Sequence, residues 1–336
     1  TVATNLASSL ARRGRTLVID LDVQGSATVA LGHQVRLDPY SAWTLFTNRY
    51  AATQGTTASS RGVWGTVGEC ARRFEGAAFG WVVGQGSIPA IARHIEPSLD
   101  LIAAGPELFR QPNRLHLSTF LYNLAVCRQH YTYVIIDTPS VWNELTRALY
   151  VASELNLVPA TLNALSTKSL KDYLHNVKKL AEKNRSVRVR IVKNEVYGRT
   201  GSKVRGKIRT MNENRAFLER LCEQVVVKHN SGHAIVPQTI LLDLEIPETA
   251  IVRDAQDEGV AVGKLHQYSA VAKAFDKLAE EVQHVLNNYA QRNRRHFWQR
   301  HAQAARTITK LAAVIALAWL FTGERAVSDR MIPRPI

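Results

Sequence analysis

At 336 residues with 46 % hydrophobic side chains, the chain is long enough to bury a sizeable core, which excludes a disordered polypeptide. Its formal charge of +15 at pH 7 favours polyanionic partners, nucleic acid or an anionic membrane surface, with an inert basic surface as the alternative. Cys70, Cys127 and Cys222 are too widely spaced for a metal-ligand set or a disulfide framework, so a reducing cytosol is expected.

Residues 1–13 place Val2, Leu6 and Leu10 on one helical face and predict an amphipathic helix, with Gly14 as its stop. The sequence opens inside this helix without Met and without a signal-peptide pattern. The strand and loop of a βαβ unit are therefore expected upstream of Thr1. Thr16 to Leu21 reads as a buried strand that delivers Asp20 and Asp22 to one sheet edge. In open α/β sheets that edge binds ligands. Residues 47–92, with Trp64 and Trp81, read as an insertion with some helix.

A short strand and turn follow at Ser98 to Pro106, and a helix over 114–130. Tyr131 to Pro139 is a second buried strand, ending in Asp137. Helix is predicted over 145–152, strand over 155–159, helix over 166–184 and strand over 187–194. A helix over 212–224, strands over 225–227 and 239–244 and a long helix from Ser269 complete the pattern. Strands alternating with helices imply an α/β fold with a doubly wound, mostly parallel sheet covered on both faces.

Residues 289–336 form a separate basic-hydrophobic, helical extension. Arg292, Arg294, Arg295, Arg300, Arg306 and Lys310 precede the apolar run Leu311 to Phe321. That run is shorter than the ~20 residues a spanning helix needs. Three readings stand. A basic amphipathic helix lies on a membrane, with Trp298, Ile308, Ile315 and Trp319 towards acyl chains; or the extension docks on a partner or the other protomer; or it is a short anchor.

Carboxylates at strand ends do not bind phosphate directly, but they hold hydrated Mg²⁺ and orient water for nucleotide hydrolysis. The phosphates need a glycine-rich loop at a helix N-terminus, and the helix at 1–13 is placed to follow such a loop. Taken singly, Asp137 could equally be a helix N-cap, Asn194 a turn residue and Thr1 an N-cap.

The order of these stretches resembles the ParA/MinD-type ATPases, the deviant Walker group of P-loop proteins, and its ParA branch in particular. Thr1 matches the second hydroxyl residue after the lysine of the family's Walker A loop, which would precede this chain. Asp20 to Gly25 is similar to the family's Asp-x-Asp-Pro-Gln-Gly, with Val23 in place of the proline. Tyr133 to Ser140 resembles the Walker B strand and switch. Asn194, then Gly198 to Thr200, resembles the adenine-reading strand end. Glu245-Ile246-Pro247, Asp254-Ala255 and Gly259 to Val262 resemble the block that packs near the base. Together these cover about residues 1–285.

The resemblance implies a P-loop NTPase fold and ATP with Mg²⁺ as cofactors. It implies that Asp22 activates water, that Asp20 supports Asp22 or the metal shell, and that Asp137 holds Mg²⁺ through water. Thr1 would bind nucleotide, and Asn194, Ile246 and Pro247 would hold adenine. A homodimer forming on ATP, non-specific DNA and a ParB-like or other stimulating partner are the implied partners.

Arg199, Lys203, Arg205, Lys207 and Arg209 carry no acid among them, and read either as a solvated loop or as a DNA-contacting patch. Glu248 stands where ParA proteins often carry a basic residue, and Arg253 is a candidate substitute. His229, His233, His296 and His301 read as surface residues. The expected function is a ParA-type ATPase that partitions or positions DNA or a protein cargo, cytoplasmic and nucleoid-associated. The alternatives are a MinD-like ATPase at a membrane surface, contacting anionic lipid through 289–321, and an inactive ATPase-fold scaffold.

Overall fold

The computed structural model describes residues 2–35, 41–47, 88–110, 116–183, 187–196, 205–224 and 240–288. Contacts divide the chain into Thr1–Val282 and Gln283–Ile336, and the account below concerns the first. Thr1, the strand expected at 225–227, the histidines at 229, 233, 296 and 301, Trp64, Trp81 and all of 289–336, with Trp298, Ile308, Ile315 and Trp319, lie outside the described residues.

Helix α1 (Val2–Ala11) leads into β1 (Thr16–Asp20), followed by short helices α2 (Ser26–Ala30), α3 (Thr44–Thr47) and α4 (Ile88–Ile91). Strands β2 (Arg93–Glu96) and β3 (Leu99–Ile102) come next, then α5 (Glu107–Arg110), α6 (Leu117–His130), β4 (Tyr133–Asp137) and α7 (Glu144–Ala152). Then follow β5 (Asn156–Thr161), α8 (Ala164–Lys183), β6 (Val189–Val196), α9 (Arg205–Gln224), β7 (Leu241–Pro247), α10 (Ala250–Asp257) and α11 (Val262–Leu265). A last helix, α12, runs 270–288.

The described strands form two hydrogen-bonded sets, ordered β2-β3-β1-β4 and β5-β6-β7. Every pairing is parallel except that of β2 with β3. Strand β1 has β3 on one side and β4 on the other. Strand β1 thus stands between two parallel neighbours, and the C-terminal edge of such a sheet is the usual ligand position.

Strand β1 is buried from end to end. Leu17 and Ile19 join a core with Leu45, Ile102 and the stacked rings of Phe46 and Phe120, whose centroids lie 4.4 Å apart. Val18 packs on the other face with Ala7, Ala11, Leu99 and Leu101. Successive residues thus serve opposite faces, as the strand's two-residue period requires. A third core joins β5 and β6 to α8 and α9 through Val189, Ile191, Leu170, Leu174 and Leu218.

Several bounds depart from expectation. The helix at 1–13 ends at Ala11, where the Gly14 N–H donates to the Leu10 carbonyl. It is buried almost all round rather than on one stripe, because its small polar side chains find distant partners. Ser8 donates to Glu96 at 2.7 Å, Ser9 to Asp276 at 2.8 Å, and Asn5 accepts from the Val262 N–H at 2.7 Å. Helix α9 begins at Arg205 rather than at 212. The antiparallel edge strand β2 was not expected.

Candidate functional site

Asp20 is the last residue of β1 and is fully buried. Its Oδ2 accepts the Thr28 N–H at 2.8 Å and the Thr28 hydroxyl at 2.7 Å, and its Oδ1 accepts the Asp22 N–H at 3.1 Å. Burial raises its pKa, and these three bonds oppose the shift. Asp22 follows in a tight turn, in which its Oδ1 accepts the Gln24 N–H and its carbonyl the Gly25 N–H, both at 2.9 Å. Gly25 stands at φ 63°. A Cβ there would lie 2.0 Å from Val35 Cγ2, so both conformation and space call for glycine.

Asp137 closes β4 and is the register partner of Asp20. The Leu21 N–H donates to its carbonyl at 2.9 Å. Burial first, and then the charge of Asp20, push its carboxyl up to about 6. It is not a helix cap. Asn143 caps α7, accepting the Thr146 N–H at 2.9 Å while the Asn143 N–H donates to Thr146 Oγ1 at 3.0 Å. Asp20, Asp22 and Asp137 therefore stand at one sheet edge, and desolvation together with the charge of Asp20 raises the proton affinity of Asp137.

The second strand set carries Asn194, Ile246 and Pro247. Asn194 lies within β6, paired with Thr161, and is not a turn residue. Pro247 pairs with Val196 on the neighbouring strand, and Ile246 is buried. The β6–β7 register slips between the pairs Lys193–Glu245 and Val196–Pro247, around Glu195 at φ 55°. Next to Asn194, Lys193 is buried and pairs with Glu245 at 3.2 Å, while Arg215 of α9 reaches the same carboxylate at 2.9 Å. Two cations on one carboxylate fix the ends of β6 and β7 together.

Of the basic candidates, Arg253 is exposed on α10. Arg205, Lys207 and Arg209 stand in the first turns of α9, so the loop expected there is helical from Arg205 onward. Arg199 and Lys203 lie outside the described residues. Sequence reading gave no role to Thr28, Asn143 or Lys193, and named Glu245 only as part of the block resembling the base-packing one. A lysine inside the apolar strand Arg190-Ile191-Val192-Lys193 was the available signal for a buried partner.

The donor set fits Mg²⁺ with a nucleotide. Among the described residues no group of three or more His, Cys, Asp or Glu could hold a metal by itself. Mg²⁺ characteristically takes one or two carboxylates and completes its shell with water and substrate phosphate; Asp137, half-buried like the rest of β4, which was expected to be buried, is placed to supply such an oxygen.

A family model described as an AAA domain matches residues 1–189. An "Uncharacterized protein" of Pseudomonas putida is 26 % identical over 283 residues, which are 84 % of this chain and 88 % of that protein. Among solved structures, apo McdA of Cyanothece superposes with a TM-score of 0.54 at 18 % identity, over 83 % of this chain and 92 % of McdA. A ParA family ATPase from Chlorobium tepidum gives 0.52 at 16 %, over 83 % and 91 %. Cobyrinic acid a,c-diamide synthase of Mycobacterium smegmatis, solved with an ATP analogue and magnesium, gives 0.54 at 17 %, over 84 % and 88 %. The solved structures share the mostly parallel α/β fold. With more than half of its length matched by the family model, the chain belongs to the ParA/MinD type of P-loop ATPases.

Proposed function

We propose that this chain is the ATPase domain of a ParA-type positioning ATPase. ATP binding would drive dimerisation and attachment to non-specific DNA in the cytoplasm. Hydrolysis, stimulated by a ParB-like or other partner, would release it, moving DNA or a protein cargo over the nucleoid. The observation that carries this reading is the pairing of Asp20 with Asp137 across β1 and β4, with Asp22 in the turn beside them.

Bound Mg²⁺–ATP would supply the phosphoryl group and a positive charge, and these carboxylates would serve them. Asp137 would hold the metal through water. Asp22 would orient the attacking water and take its proton. Asp20, with both oxygens occupied by N–H and O–H donors, would fix the Asp22 turn rather than touch the metal. Asn194, Ile246 and Pro247 would hold adenine, and Thr1 would belong to the phosphate end.

The test is retention of the complete protein on non-specific DNA. Retention with ATP but not with ADP is expected. The Asp22→Ala variant should stay bound with ATP while its hydrolysis falls at least ~100-fold, the scale of losing a general base. Equal retention with both nucleotides, or an Asp22→Ala enzyme with normal turnover, contradicts the reading.

The arginine-rich stretch 292–310 followed by the apolar run 311–321 favours a second reading, a MinD-like ATPase on a membrane surface. Deleting 289–336 should then abolish sedimentation with anionic liposomes. Sedimentation unchanged by the deletion excludes it.

A further inference from the structure

Thr28 has no role of its own in the reading above, yet its hydroxyl both donates and accepts at the carboxylate edge. It lies in α2 and is fully buried. Its hydroxyl donates to Asp20 Oδ2 at 2.7 Å, and its N–H donates to the same oxygen at 2.8 Å. The same hydroxyl oxygen accepts the N–H of Ala104 at 3.0 Å, just beyond the end of β3. One hydroxyl therefore ties the end of β1, the first turn of α2 and the chain leaving β3.

The turn that carries Asp22 hangs between the first two of these points. Helix α2 is five residues long. So short a helix has too few bonds of its own to hold a fixed place. Its N-cap, Gly25, offers no side-chain bond and sits in the left-handed region, which glycine enters and leaves at little cost. The start of the turn is held by the Leu21 N–H on the Asp137 carbonyl, and its far end by the Asp20–Thr28 anchor. The anchor is buried, where a hydroxyl that donates and accepts at once is costly to remove.

We propose that Thr28 is a positioning residue, whose hydroxyl bridge from the Asp20 carboxylate to the Ala104 N–H sets where the 21–27 turn, and with it Asp22, stands at the sheet edge. The consequence for turnover rests on the ATPase reading; the consequence for the turn itself does not.

Two variants separate the hydroxyl from the volume. Thr28→Val keeps the shape and removes both side-chain bonds, leaving the Ala104 N–H without its acceptor. Thr28→Ser keeps the bonds in a smaller residue. In Thr28→Val, amide exchange is expected to quicken at least ~10-fold over 21–28 and at 104, with α7 unchanged. In the complete protein kcat should fall ~10-fold or more while KM for ATP stays within about two-fold, the pattern of a lost transition-state alignment. Thr28→Ser should restore both.

Unchanged exchange in Thr28→Val overturns the bridge. So does a Thr28→Ser protein as impaired as Thr28→Val, since volume would then be the cause. Uniformly fast exchange throughout Thr28→Val also overturns it, because the role would then be global stability. A wild-type protein without ATPase activity defeats the ATPase reading and leaves the exchange comparison to decide the bridge.

Discussion

Asp137 shows at the residue scale how its surroundings change a carboxylate. An exposed aspartate is ionised at any physiological pH, but here burial and the facing Asp20 raise the carboxyl from 3.8 to about 6. The folded state thus binds this proton more tightly than the unfolded chain does. The stability it contributes is fully present below about pH 3.8 and is lost as pH rises through about 6. Asp137→Asn should therefore match wild type near pH 4 and exceed it near pH 8 by on the order of 1–3 kcal/mol. Urea midpoints at the two pH values check this, and parallel profiles would refute it. The protein retains a carboxylate that costs stability at neutral pH, which suits an oxygen kept for a cation. Asp20 and Asp137 were both legible as strand-end carboxylates. The partner of Asp20 was not, because Thr28 N–H and Oγ1 reach it from a helix turn whose place no local pattern discloses.

Elements were read well where their periodicity was local and poorly where partners were distant. The apolar runs of β1 and β4 gave both strands and their terminal aspartates. Helix α1 was recognisable from Val2, Leu6 and Leu10, but not its nearly complete burial. The partner of Ser9 is 267 residues away and that of Asn5 257 residues away. Strand β2, Arg93–Glu96, holds one apolar residue, Ile95, in four positions, too little pattern to tell from a loop; pairing with β3 decides it. The turn after α2 meets the turn after α10 through two glycines. A Cβ on Gly259 would lie 2.5 Å from Gly32 Cα, and Gly259 has φ +66°. Gly259→Ala should therefore destabilise the protein by about 1–3 kcal/mol through left-handed strain and backbone separation. Thermal melting checks it, and an unchanged melting temperature would show that the two turns are not pressed together.

At the scale of the whole molecule, charge is the property that composition states most directly. The +15 excess includes exposed Lys168, Lys171 and Lys179 on α8 and exposed Arg253 on α10. Each phosphate neutralised contributes about −0.9 to the slope of log affinity against log salt. A footprint of about five such contacts predicts a roughly 10²–10³-fold loss of DNA affinity between about 50 and 200 mM salt. Filter binding across that range measures it. A flat salt response would mean that the basic excess does not meet phosphate.

The alternation of apolar strands with helices, and the aspartates that end two of the strands, follow from the sequence alone. Both are consequences of short-range pattern, in which each residue needs only its neighbours in the chain. The order β3-β1-β4 was decided by tertiary structure, because it depends on which strand ends pack side by side. That order makes Asp20 and Asp137 register partners, raises the proton affinity of Asp137, and brings Thr28 and the Ala104 N–H onto one hydroxyl bridge. A carboxylate's environment is set by whatever surrounds it in space, and at this edge the surroundings come from residues 20 to 137, folded back on one another.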